Sequence, residues 1–190
     1  VAVFVHNNFD NASFSYEADF NNNNALIVSL HKNKFKVMAF YRQPNNPSDL
    51  NGIHFIEKFD EILSNNSNAM IFGDFNFNIL KQTENICKYE NAFGLNGFTL
   101  LNNVSDAFAT RINSTTNAHS ILDHALTDLH LYHQNISFSF CLFQRFADHK
   151  SIVLAINKEK VKLDITKEDL SYKIINHKAI VDSELLANLS

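Results

Sequence analysis

Three observations in the 190-residue chain predict an α/β fold. Short apolar, β-branched runs recur, at residues 1–5, 25–30, 35–41 and 69–72. Residues 53–63 instead carry apolar side chains at 53, 55, 56, 59, 62 and 63, which is helical spacing. That segment lies between two of the apolar runs, so strand, loop, helix and strand follow one another. The length suits one domain with a tail, and an apolar fraction of 45% suffices for a buried core.

The elements follow in order. Residues 1–5 read as a buried strand, and residues 7–11 as a loop. Residues 25–30 and 35–41 are two strands joined by the short polar link His31-Lys32-Asn33-Lys34, which predicts a hairpin. Residues 42–51 hold both prolines and form a loop, with Ser48 or Asp49 placed to cap the helix 53–63. Residues 64–68 end that helix, and the strand beginning at Ala69 follows. Residues 91–101 read as a short helix and then a strand; residues 122–127, 136–143 and 151–156 read as further strands. Residues 136–140 alternate strictly, which predicts one wet face. From residue 157 the chain turns charged, and 157–190 is expected to be a linker with a weak helical pattern over 169–190.

Composition narrows the function classes. The net charge is −4 and the pI about 6.1, so a broad basic face that grips nucleic acid by charge alone is not supported. A nuclease that lets a metal ion carry positive charge remains compatible with this balance. Four glycines argue against Gly-rich nucleotide loops. Cys87 and Cys141 lack metal-ligand spacing and are expected to be reduced thiols of an intracellular protein. No apolar stretch approaches the roughly 18 residues of a membrane span, and no signal peptide is visible.

The chemistry concentrates at strand ends. Gly73-Asp74-Phe75-Asn76 closes one strand, Asp123-His124 opens another, Asp148-His149 precedes a third, and Tyr41-Arg42 ends a fourth. Taken singly, each has a plain structural explanation. Asp74 and Asn76 are common turn formers, Asp123 can serve a backbone amide, His149 can be a surface histidine, and Tyr41 can be core. Together they match what phosphodiester hydrolysis needs: a proton acceptor for water, donors around the phosphoryl oxygens, and carboxylates for a divalent metal. Asp74 and Asn76, two apart on an extended segment, are expected to face one cleft.

These residues resemble the endonuclease/exonuclease/phosphatase family, whose members include DNase I-like nucleases and inositol phosphatases. The match lies at Gly73-Asp74-Phe75-Asn76, Asp123 and Asp148-His149. Tyr41-Arg42-Gln43-Pro44, Ala109-Thr110-Arg111-Ile112-Asn113-Ser114 and Ser120-Ile121-Leu122-Asp123-His124-Ala125-Leu126-Thr127-Asp128 resemble the endonuclease domain of non-LTR, jockey-like retrotransposons more narrowly. The resemblance covers residues 1–156, the partial domain, and Ser171-Tyr172-Lys173-Ile174-Ile175-Asn176 resembles the connector toward a following reverse transcriptase. It implies a four-layer sandwich of two mixed β-sheets flanked by helices, with the N-terminal strands missing.

The resemblance also implies roles. Asp74 orients or deprotonates the attacking water, and Asn76 bonds the water or the phosphate. His149 contacts the scissile phosphate, and Asp123 orients it. Tyr41 touches the phosphate, and Asp148 lies beside the metal or its water shell. Arg42 and Arg111 bind phosphate or DNA. The implied cofactor is Mg²⁺ or Mn²⁺ and the implied partner is target DNA, nicked in the nucleus for reverse transcription. The chain departs from the pattern where an upstream Asn and a metal-binding Glu are expected, and Ala147 stands where a Ser is usual. The expectation is therefore a fragment with impaired activity. The alternatives are a catalytically dead relic, or a phosphatase acting on a small phosphate ester or lipid headgroup.

Overall fold

The structure, a computed structural model, describes residues 1–6, 12–30, 35–45, 49, 52–129, 136–143 and 148–158. The elements in order are β1 (Ser13–Phe20), β2 (Asn23–Leu30), β3 (Phe35–Tyr41), α1 (Ile53–Ser64), β4 (Ala69–Asp74), α2 (Glu84–Leu95), β5 (Thr99–Leu100), β6 (Arg111–Ile112), β7 (His119–Ser120), β8 (Asp123–Thr127), β9 (Ile136–Phe143) and β10 (Ser151–Lys158). Six strands form one mixed sheet in the order β1-β2-β3-β4-β8-β5. β3 and β4 run parallel across α1, and the other neighbours are antiparallel. β9 and β10 form a separate antiparallel hairpin, and β6 pairs with β7.

The helices form because their apolar positions repeat at three and four. α1 buries Phe55, Ile56, Phe59, Ile62 and Leu63, and α2 buries Ile86, Tyr89, Ala92 and Phe93. Thr83 caps α2 by accepting a hydrogen bond from the Ile86 amide at 3.3 Å. Both faces meet the sheet in one core with Ile27, Met38, Phe40, Ile71 and Phe75. The heavy use of Phe is explained here. Phe40, Phe55, Phe59, Phe75, Phe77 and Tyr89 interlock with centroids between 4.9 and 6.4 Å, in stacked, tilted and edge-on pairs. At the far end of the central strands, both Asp128 carboxylate oxygens accept backbone amides, from Asn68 and Ala69, at 2.7 Å each. No described helix is long and apolar enough to cross a membrane.

The hairpin β2–β3, the helix at 53, and the strands at 69, 123, 136 and 151 agree with the sequence expectations. Several others are corrected. Residues 1–5 form no strand: among the described residues they have no ladder partner, and Phe4 is 95% exposed. β1 was not expected, although Phe14, Tyr16, Ala18 and Phe20 alternate with polar neighbours. The short helix expected to open residues 91–101 begins earlier, at Glu84, and ends at Leu95, where Asn96 and Gly97, at φ 80, stop it; the strand expected after it is β5. The last strand continues through Lys158 instead of ending at 156. Asp49 does serve α1, accepting the Phe55 amide at 3.2 Å, while Gly52 at φ 90 is the residue at the cap position. The loop at 7–11, the link 31–34, Ser48, the side chains of 136–140 and the tail from 159 lie outside the described residues.

His124 is a core residue rather than a site residue. It is wholly buried, with Nε2 3.1 Å from the Ile121 carbonyl and Nδ1 2.9 Å from the Tyr89 hydroxyl. A carbonyl only accepts, so Nε2 carries the proton and Nδ1 accepts from Tyr89. The ring stacks on Phe75 at 5.2 Å and 9°. Burial lowers its pKa from 6.5 to about 4. The unfolded chain therefore takes up a proton on this residue that the native state refuses. The associated stability is complete above pH 6.5 and is lost as pH falls toward 4, by about 3 kcal/mol at most. Urea midpoints of the wild type are expected to fall across that window more steeply than those of His124→Phe; equal slopes would refute the neutral, buried imidazole.

Candidate active site

The site begins with a glycine. A Cβ at Gly73 would collide with the carbonyl oxygen of Phe40 and lie 3.0 Å from its Cβ, so β4 approaches β3 this closely only without a side chain. The ladder that results pairs Tyr41 with Asp74 and Asp74 with Asp123. On the other side Tyr41 pairs with Asn24. Directly paired residues share a face. Asn24, Tyr41, Asp74 and Asp123 therefore form one polar row across four strands at the same end of the sheet.

His149 joins this row from outside the sheet. It lies just before β10, and its Nδ1 is 2.8 Å from Asp123 Oδ2. An ionised carboxylate only accepts, so Nδ1 carries the proton and Nε2 is turned to other partners. The pair is partly shielded, with side chains 28% and 19% exposed for His149 and Asp123. Ligand atoms of Asp74, Asp123 and His149 lie within 4.8 Å of one another. Burial first, and the like charge of Asp123 second, raise the pKa of Asp74; His149, the Asn76 amide and Arg111 pull it back. Two carboxylates held so close create a demand for a cation, and a small hard dication that keeps waters is met by one or two carboxylates. The donor set fits such an ion.

Asn76 sits differently from the expectation. β4 ends at Asp74, and Asn76 takes a left-handed conformation at φ 51, which Asn tolerates better than most residues. Its amide donates to Asp74 Oδ1 at 3.2 Å, a turn closed by the carboxylate. Its side-chain Nδ2 donates to the Arg42 carbonyl at 2.7 Å. The extended same-face geometry expected for Asp74 and Asn76 is thus replaced by a turn, because the Asp74 side chain captures the backbone two residues on. Phe75 points the other way, into the core, and its amide bonds the Leu122 carbonyl at 2.9 Å.

Arg42 is corrected. The expected phosphate-binding guanidinium is buried, with the side chain 8% exposed. It lies 4.2 Å over the Phe77 ring, donates through Nε to Asp49 at 3.4 Å, and through a terminal nitrogen to the Asn76 carbonyl at 3.3 Å. It braces the turn after Asp74 from behind. Arg111 is part-exposed and donates through Nε to Asp148 Oδ2 at 3.0 Å. Asp148 is outside the Asp74–Asp123–His149 group. Tyr41 is 36% exposed beside Asp74. Ala147 lies outside the described residues. Two contributors were not singled out in the sequence. Asn24 extends the polar row, and buried Asn102 holds β8, donating to the Asp123 carbonyl at 3.0 Å and accepting from Ala125 at 2.8 Å. Asn102 sits in an asparagine-rich loop that nothing local marks as special.

Two outcomes follow from this geometry. Arg42→Leu leaves Asp49 buried without its cation and is expected to cost about 3–5 kcal/mol in urea unfolding; an unchanged stability with weakened DNA binding would restore the phosphate-contact reading. Asp74 titrates above its unfolded value, so the native state binds its proton more tightly and stability falls as pH rises through the native pKa. Asp74→Asn is therefore expected to melt a few degrees higher than the wild type at neutral pH. The gain should vanish in acid, where Asp74 is protonated in both states; a lower melting temperature at neutral pH would contradict the repulsion.

No protein-family model matches the chain, and no curated protein matches it by sequence. Solved structures do resemble it. The endonuclease domain of TRAS1, a telomere-specific non-LTR retrotransposon, aligns with a TM-score of 0.54 at 15% identity, over 72% of this chain and 63% of that one. The human Nocturnin catalytic domain aligns at 0.44 and 15% identity, over 80% and 60%. A mannosyl-6-phosphatase of Bacteroides thetaiotaomicron aligns at 0.38 and 11%, over 71% and 56%. The chain thus spans about 63% of the length of the TRAS1 domain, and over that span it has the DNase I-like fold.

Proposed function

We propose that this chain carries the hydrolytic site of a divalent-metal-dependent endonuclease that nicks DNA, of the kind non-LTR retrotransposons use to prime reverse transcription. The observation that carries the reading is the convergence of Asp74, Asp123 and His149, with Asp123 bonded to the imidazole at 2.8 Å. The TRAS1 likeness in fold and the Tyr41-Arg42-Gln43-Pro44 and Thr110-Arg111 stretches favour DNA in a retroelement setting over a small phosphate ester. On this reading the chain acts on nuclear DNA and is joined to a reverse transcriptase in the full element.

Asp74 and Asp123 would hold the cation, Mg²⁺ or Mn²⁺, with His149 beside them. Such an ion, when bound, would neutralise charge on the phosphoryl and leaving oxygens. Asp74 would also orient or deprotonate an attacking water beside the ion. Asp123 would fix the orientation of His149 through Nδ1, so that Nε2 would donate to a phosphoryl oxygen as the imidazolium and accept a proton as the neutral ring. Tyr41, one strand away from Asp74, adds a phenolic donor. The turn at Asn76 keeps Asp74 in place. Among the described residues the cluster contains no glutamate, so hydrolysis is expected to be slow.

The test is nicking of supercoiled plasmid with Mg²⁺ by this chain and by Asp74→Ala. Slow nicking that depends on the metal and falls at least about 100-fold in the variant supports the proposal. Equal nicking by both proteins, or none by either, overturns it for this chain and favours the relic.

A further inference from the structure

Asp123 and His149 come from different sheets. Asp123 opens β8 in the six-stranded sheet, and His149 precedes β10 in the separate hairpin. A hydrogen bond of 2.8 Å between them needs the two sheets to be held in register at this end. Residues 110 and 111 touch both sides. Thr110 is fully buried, and its single hydroxyl oxygen accepts two consecutive amides, Leu122 at 2.9 Å and Asp123 at 3.1 Å. The Thr110 carbonyl accepts the Lys150 amide at 2.7 Å. Arg111 pairs with His149 in an antiparallel bridge, and its Nε bonds Asp148 at 3.0 Å. Arg111 also pairs with Ser120 on the β8 side.

We propose that Thr110 and Arg111 are positioning residues: a strap that fixes the start of β8 and the segment before β10, and so sets the Asp123–His149 pair. A hydroxyl has two acceptor lone pairs, which suits two adjacent amides; a methyl of equal size has none. The ion pair with Asp148 orients the residue immediately before His149. This gives the Thr110-Arg111 stretch a geometric task in place of the phosphate contact expected for Arg111.

The test uses the full chain, ¹⁵N-labelled, as wild type, Thr110→Val, Thr110→Ser and Arg111→Met. At alkaline pH the neutral His149 ring should hold its proton on Nδ1 in the wild type, and imidazole ¹⁵N spectra read this directly. Thr110→Val is expected to shift the ring to a mixture of tautomers, Thr110→Ser to restore the wild-type pattern, and Arg111→Met to give an intermediate shift. The kinetic arm rests on the proposed nuclease reading: kcat should fall roughly ten- to a hundredfold in Thr110→Val with KM little changed, as for a misplaced catalytic pair. The spectroscopic arm does not need hydrolysis, so a chain that nicks nothing but shows these shifts keeps the strap and loses only the activity. A wild-type imidazole pattern in folded Thr110→Val overturns the proposal. If that variant does not fold, Arg111→Met, at a part-exposed pair, decides alone: an unchanged pattern with a raised KM for DNA marks Arg111 as a phosphate contact and overturns the strap.

Discussion

The close approach of β4 to β3 at Gly73 is the constraint on which the rest of this architecture depends. Any side chain there would meet the Phe40 backbone, and the parallel ladder would open at its most important end. With the ladder closed, Phe40 stacks on Phe75 at 5.8 Å and Asp74 emerges level with Tyr41 and Asp123. One residue therefore couples the aromatic core to the polar row. The chain alternates between them, Phe75 and His124 inward, Asp74 and Asp123 toward the site, as extended geometry requires.

Around this ladder the fold uses buried polar groups to hold strand ends where hydrophobic contacts alone would leave them free to slide. Asp128 takes two amides at the far end, Asn102 brackets the Asp123 carbonyl and the Ala125 amide, and Arg42 with Asp49 braces the turn at Asn76. Hydrogen bonds are directional and burial of apolar area is not. The core supplies most of the driving force, and these polar groups supply the register.

The site itself works against stability. Asp74 is half-shielded and faces a second carboxylate, which favours its neutral form. Core packing around Phe75, Tyr89 and His124 holds the geometry in spite of that repulsion. Strained electrostatics of this kind are common where a site awaits a cation or a proton. The pairing of Asp123 with His149 across two sheets adds a second dependence, on the short β6 region that touches both.

The sequence by itself determined the α/β class, the helix at 53, the central strands, and the placing of Asp74, Asp123 and His149 at strand ends, because periodicity and strand-end polarity are local signals. Tyr41 belongs to that set as well, as the terminal residue of an apolar run. Tertiary structure decided the rest. Nothing near Arg42 reveals that Phe77, far along the chain, covers it, or that Asp49 consumes its charge. Asp74 and Asn76 are turn formers by type, yet only the structure shows the Asp74 carboxylate turning the chain rather than leaving it extended. Residues 1–5 have every local mark of a strand and no ladder partner among the described residues, and β1 has the alternation but sits among asparagine runs that resemble loops. The tail from 159 lies beyond the comparison. A strand is made by its neighbour and a buried charge by its partner, and both arrive from distances in sequence that no local pattern records.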